Sequence, residues 1–388
     1  VLYALMEHDL KRLLAYHSVE NVGIILIGLG AALVLRSLEY PAAAALALLA
    51  GLYHVLNHAV FKALLFLGAG AVQQAAHTRD LESLGGLIHR MPWTAATFLI
   101  GAAAISALPP LNGFVSEWLT FQALLALITA GPGPVVAIGA ALTAGLLALT
   151  SGLAAFCFVK AFGVAFLGMP RSASARDARE VNWSMRGAMG GLALLCFGLG
   201  LLPTAIVQLL SPVTATLAGV AANPALGLTP LRPLGPEGAF APLPLFLLLL
   251  AFGALGLLLA RLFGGPGSER IAPPWTCGIS AEPSMQYTAA ALAKPIRIIF
   301  RALIRPYRVV ELEPARGGGR GNLDPTYFVT SVRYEAGVRS VYERYLYGPA
   351  VRSLLAVAQR IRSFQSGGLR TYLAYIFATL VVVLLFTR

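Results

Sequence analysis

Apolar positions in this chain gather into long runs, with polar positions confined to the segments between them. About seven runs are long enough for a helix to cross a bilayer, which takes about 20 residues. They cover Leu10–Leu35, Ala42–Ala75, Trp93–Ile128, Pro134–Leu167, Arg186–Leu210, Leu243–Phe263 and Arg370–Phe386. Strands of a membrane barrel are shorter and alternate in polarity, which these runs do not. The pattern predicts an all-α polytopic membrane protein of about seven transmembrane helices. One of them is broken: Pro109, Pro110 and Gly113 fall inside the third run, where they interrupt a helix. Broken spans are tolerated where they line a cavity. Glu117 follows the break and is expected in the first turn of the second half-helix, at the positive end of its dipole.

A few titratable side chains interrupt the apolar runs. His54, His58 and Lys62 recur every fourth residue in the second run, so they share one helix face in steps of about 6 Å. That exceeds hydrogen-bond length, so bridging waters would have to connect them. Ionisable groups inside a membrane span are costly and usually face the bundle interior or a wet cavity. Burial disfavours the charged form of such groups, so they can exchange protons. The bland alternative is a set of structural histidines. The first run opens with Lys11, His17 and Glu20, with Glu20 on the face of His17. These either line an internal polar path or mark an interfacial helix end. Lys160, near the end of the fourth run, either joins a path or snorkels to the interface.

Composition agrees with a membrane protein: 57% of residues are hydrophobic and 12% charged, against about 25% charged in soluble domains. The net charge of +12 is therefore read by position, not as nucleic-acid affinity. Basic residues occupy alternate loops, at Arg79, His89 and Arg90, at Arg171, Arg176 and Arg179, and through 268–363. The loops near Gly131 and from Asn223 to Pro242 are nearly uncharged. The positive-inside rule puts the basic loops in the cytoplasm; a multi-pass place in the plasma membrane of a prokaryote is expected. Lys294–Arg308 reads as an amphipathic helix with Arg297, Arg301 and Arg305 on one stripe, and Tyr342–Gln365 as a second. Both suit an anionic membrane surface or the grip of a partner protein. Gly265–Gly278 and Gly317–Gly321 read as loops. Cys157, Cys196 and Cys277 have neither metal-site nor redox spacing. No phosphate loop, nucleophile motif or metal cluster is present in the sequence, so no cofactor is expected on this chain. The chain starts at Val1, and Val1–Met6 looks like the tail of an apolar span. A fragment or trimmed form of a longer protein is expected.

Three stretches together carry a resemblance. Asp9-Leu-Lys-Arg-Leu-Leu-Ala-Tyr16 with Gly23, His54-x-x-x-His58-x-x-Phe-Lys62, and Ser106-Ala-Leu-Pro-Pro through Gly113-Phe-x-Ser-Glu117 resemble the antiporter-like subunits of respiratory complex I and of Mrp cation/proton antiporters. Ala15-Tyr-His-Ser-Val-Glu-Asn-Val-Gly23, Trp275-Thr-Cys277-Gly and Gln365-Ser-Gly-Gly-Leu-Arg-x-Tyr-Leu are similar to one branch, the large membrane subunits of group 4 hydrogenases such as hydrogenase-4 and formate hydrogenlyase. The family fold has two inverted five-helix repeats followed by C-terminal helices. The resemblance implies that this chain holds the second repeat, without its first helix, plus the C-terminal extension. It divides the chain into 1–168 (repeat), 169–264 (accessory helices), 265–369 (basic interfacial segment) and 370–388 (last span). It implies that Lys11 is a central-axis lysine, that His54, His58 and Lys62 connect along the path, and that Glu117 is the switch on the broken helix. The implied partners are other membrane subunits and soluble redox subunits of a hydrogenase- or complex-I-like assembly, the bilayer, and protons or sodium. The implied role is a proton-translocating subunit without a redox site of its own. The rival readings are a component of a sodium/proton antiporter and a non-conducting anchor.

Overall fold

The computed structural model describes residues 1–130, 133–220, 231, 239–263, 275–314, 329–338, 340–362 and 367–387. The loops expected near Gly131, through most of Asn223–Pro242, over much of Gly265–Gly278 and at Gly317–Gly321 lie outside the described residues, as does Gln365. The chain divides into two compact units, Val1–Ile299 and Phe300–Arg388. Among the described residues, six helices are long and apolar enough to cross a membrane. Each falls in one of the expected runs, and the remaining run, Trp93–Ile128, is the broken one.

The first unit is built around α3 (Pro41–Ala76), with Pro41 in its first turn. Proline suits that position because the amide it lacks would have no partner there. Helices α2 (Leu10–Ser37), α4 (Pro92–Ile105), α5 (Asn112–Ala130), α8 (Trp183–Leu201) and α9 (Pro203–Ala218) pack around α3. The short α1 (Leu2–Met6) leads into α2, and α6 (Pro134–Phe166) closes the bundle against α4 and α5. The remaining helices of this unit are α7 (Ala173–Arg176), α10 (Pro242–Phe263) and α11 (Ala289–Ile299). Asp9 starts α2: its Oδ1 accepts from the Lys11 and Arg12 amides, each at 2.9 Å. Where α2 crosses α3, a Cβ on Gly28 would lie 3.0 Å from Gly51 Cα. Small residues let helices in membranes approach this closely.

The third run is indeed broken, with α4 ending at Ile105 and α5 starting at Asn112. The turn between them closes on its own backbone, with Leu108 N donating to Ala103 O at 3.1 Å and Leu111 N to Leu108 O at 3.0 Å. Gly113 fits because a Cβ there would overlap the Ala104 carbonyl, and Gly200 of α8 fits because a Cβ would overlap the Pro110 carbonyl. Glu117 is placed differently from expectation. It lies one turn beyond the first turn of α5, where the helix dipole has largely fallen off.

Two further readings are corrected. Arg186–Leu210 is not one helix, because α8 stops at Leu201 and α9 starts at Pro203. Pro203 has no N–H for the Leu199 carbonyl that a continuous helix would pair with it. The Tyr53 hydroxyl, fully buried, donates to that carbonyl instead. Lys294–Arg308 is not one helix either. In the second unit α12 (Arg301–Ile304) ends at Arg305, whose φ of 43° is left-handed, and Pro306 opens a strand. A residue before proline is biased away from the helical region, and with α11 ending at Ile299 and α12 starting at Arg301, Arg297, Arg301 and Arg305 do not lie on one continuous helix. Strand β1 (Pro306–Pro314) pairs antiparallel with β2 (Val329–Val338), with Val310 opposite Tyr334 and an irregularity at Glu313/Pro314. Among the described residues this strand pair is the one sheet, and the alternation Val310-Glu-Leu-Glu313 was its sign in the sequence. A single wide turn (Glu343–Tyr347), α13 (Gly348–Arg362) and α14 (Leu369–Phe386) complete this unit.

Candidate functional site

Inside the first unit, polar side chains from α2, α3, α5 and α6 meet among apolar helices. On α2, His17 Nδ1 pairs with Glu20 Oε2, and the two side chains are 0% and 5% exposed. The His17 ring lies 4.8 Å from that of Phe158 on α6. Lys62 of α3 is buried, and its Nζ donates to the Leu14 carbonyl of α2 at 2.7 Å. The Lys62 ammonium thereby lies against α2 about one turn before His17. His17, Glu20 and Lys62 thus form a buried cluster on α2 and α3, with half-buried His58 one turn before Lys62 on α3.

The row of three on α3 does not behave as a single wire. His58 is half-buried, its ring 5.7 Å from Phe61, and its Nε2 has no protein partner. His54, fully enclosed, turns away to α2 and α5. Its Nε2 meets Asn21 Oδ1 at 3.1 Å and its Nδ1 meets Ser116 Oγ at 2.9 Å. Asn57 Nδ2 donates to Ser116 Oγ at 2.9 Å and to the Asn112 carbonyl at 2.8 Å, tying α3 to the start of α5. Beyond this neutral bridge, buried Glu117 accepts from Ser151 Oγ of α6 at 2.6 Å. The His17 Nε2, Asn57 Oδ1 and Asn112 Oδ1 atoms are buried without protein partners, and such atoms are where ordered waters bind.

Two of the expected site residues stand apart. Lys160 does not snorkel: it is 1% exposed, and its Nζ donates to the carbonyls of Leu5 at 2.7 Å and Glu7 at 2.9 Å. It thereby caps the end of α1, whose last carbonyls have no helical partner. Lys11 is half-buried in the first turn of α2, and the structure does not bring it into the cluster. The sequence reading missed Asn21, Asn57, Asn112, Ser116 and Ser151. Their signal was spacing: Asn21 follows His17 by one turn, Asn57 follows His54 by nearly one, and Ser116 adjoins Glu117. Among the described residues, no three or more His, Cys, Asp or Glu side chains gather as they would around a metal ion.

Four helices around buried Lys, His and Glu, one of them broken beside a glutamate, are matched by a known family. Residues 1–144 fit the family described as NADH:quinone oxidoreductase/Mrp antiporter, TM. Residues 1–144 are thus similar to the antiporter-like membrane domain of that family. It is 40% identical to hydrogenase-4 component B of Escherichia coli K12 over 99% of this chain and 56% of that protein. It is also 40% identical to formate hydrogenlyase subunit 3 of the same organism, over 78% of this chain and 48% of that protein. The chain thus spans about half the length of these curated relatives. Among solved structures it is similar in fold to a chain of the membrane-bound sulfane sulfur reductase, described as an archaeal respiratory membrane complex. That match has a TM-score of 0.65 at 20% identity, covering 99% of this chain and 53% of the other. The antiporter-like chain is therefore a membrane protein whose named relatives are components of multi-subunit complexes.

Proposed function

We propose that this antiporter-like chain conducts protons within a hydrogenase- or complex-I-like membrane assembly. One observation carries the reading: the buried His17–Glu20 pair, next to Lys62, stands on one side of a hydrogen-bonded bridge and Glu117 with Ser151 on the other. Charged groups kept inside a membrane protein are costly unless they serve a pathway or a fixed partner. Here they come from separate helices and stand beside buried polar atoms able to hold water. The similarity to hydrogenase-4 component B and formate hydrogenlyase subunit 3 supports an assembly with redox subunits. The alternation of basic loops supports a plasma-membrane location with those loops in the cytoplasm.

The test uses the assembled complex, with the full-length protein, in sealed membrane vesicles. Lys62→Met and Glu117→Gln are each expected to lower substrate-driven proton translocation strongly while the complex still assembles. Translocation at the wild-type level in both variants would overturn the reading in favour of a membrane anchor. Similarity to a Na(+)/H(+) antiporter component of Alkalihalophilus pseudofirmus, 43% identical over 31% of this chain, favours one rival. Translocation that requires sodium would establish it.

A further inference from the structure

His54 has both ring nitrogens engaged, and its partners determine where its proton sits. Asn21 Nδ2 donates to the His17 carbonyl at 2.7 Å. A carbonyl has no hydrogen to give, so this bond fixes the amide and leaves Asn21 Oδ1 facing His54. An amide oxygen only accepts, so the 3.1 Å contact requires His54 Nε2 to carry the hydrogen. Asn57 Nδ2 is fixed in the same way by the Asn112 carbonyl, and its second hydrogen goes to Ser116 Oγ. The Ser116 hydroxyl has two acceptors in reach, the Gly113 carbonyl at 3.2 Å and Nδ1 of His54 at 2.9 Å, and its single hydrogen goes to the nearer, Nδ1. Both contacts of the His54 ring are then satisfied by a neutral histidine with its hydrogen on Nε2.

The two sides of the ring are not equivalent for proton transfer. At Nδ1 the neighbour is a hydroxyl, which can accept one proton while giving up another. At Nε2 the neighbour is a carboxamide, which near neutral pH does neither. Asn21 lies one helical turn from His17 and next to Glu20, so it stands between the α2–α3 cluster and the arm formed by His54 and Ser116. Phe61, with its ring 6.3 Å from that of His54, contributes no hydrogen-bonding group.

We propose that Asn21 is the positioning residue that seals the proton route at rest. It holds His54 in the Nε2–H form and offers an amide where a proton would have to leave. Conduction then requires the His54 ring to part from Asn21. A proton added at Nδ1 from Ser116, whose hydroxyl takes a replacement proton relayed through water at the unpartnered Asn57 and Asn112 oxygens, makes the imidazolium, and Nε2 gives up its own proton only once it faces a water or a titratable group of the cluster. This inference rests on the proton-conducting reading above.

The experiment measures passive proton influx, driven by an imposed membrane potential and without substrate, into vesicles carrying the assembled complex with the full-length protein. Asn21→Asp, nearly the same shape, and Asn21→Ser both replace the amide by a group that can pass a proton. Each is expected to raise the influx several-fold, while Asn21→Gln, which keeps an amide, stays as tight as wild type. Adding His54→Leu to Asn21→Asp is expected to abolish the leak. Asp and Ser variants that assemble and stay as tight as wild type overturn the seal, as does a leak that survives His54→Leu. The Lys62→Met control separates the two levels. If it stops substrate-driven pumping while the Asn21 variants stay tight, only the seal falls. If Lys62→Met and Glu117→Gln both pump normally, the conducting reading falls and the seal with it.

Discussion

Glu20 and Lys160 show how differently two charged residues in apolar helices can be used. The Glu20 carboxylate pairs with the buried His17 inside the bundle. Glu20→Gln keeps the shape of the side chain and removes its charge. It is expected to slow proton translocation while leaving assembly intact, as measured by dye quenching in vesicles together with the yield of purified complex. Lys160 has the opposite character, since both of its hydrogen bonds go to backbone carbonyls at the end of α1. Lys160→Met leaves those buried acceptors without a donor, which costs about 1–3 kcal/mol for each. A lowered melting temperature of the solubilised complex is the expected result. The sequence could not separate these two roles. A lysine in an apolar helix looks the same whether its partner is a carboxylate or a carbonyl on a distant element, and only the packing of α1 against α6 decides.

At the scale of elements, breaks and joints are where sequence reading succeeded and failed for one reason. Pro109, Pro110 and Gly113 announced the break between α4 and α5, because proline and glycine act locally. Pro203 and Pro306 are equally local signals, but they lay inside an apolar run and an amphipathic stretch that each read as a continuous helix. The joint at Pro203 depends on a distant residue, because buried Tyr53 supplies the donor that proline lacks. Tyr53→Phe keeps the ring and removes that donor. It should destabilise the complex by about 1–3 kcal/mol, read as a lowered melting temperature. The break in turn leans on α8. Gly200→Ala would press a methyl into the Pro110 carbonyl, whereas Gly145 on α6 faces open space. Gly200→Ala is expected to lower both stability and translocation, and Gly145→Ala to change neither. Equal effects of the two would remove the break from the mechanism.

At the scale of the whole molecule, hydropathy and charge set the membrane class and the expected sidedness. With Cys277→Ser as background, Arg176→Cys is expected to react with a membrane-impermeant thiol reagent only from the cytoplasmic face, and Gly133→Cys only from the opposite face. The reverse pattern would invert the proposed topology. The sequence by itself determined that the chain is a helical membrane protein, that its third run breaks, and which ionisable residues it places inside apolar helices. These features follow from composition and from spacing within one helix, where neighbours in sequence are neighbours in space. Only the tertiary structure decided that His54 turns to Asn21 and Ser116 rather than along its own row, that Lys160 caps α1, and that Glu117 answers to Ser151. Those hydrogen bonds join α2, α3, α5 and α6, and a polar side chain in a lipid-facing chain must find whichever donor or acceptor the packed helices bring within reach.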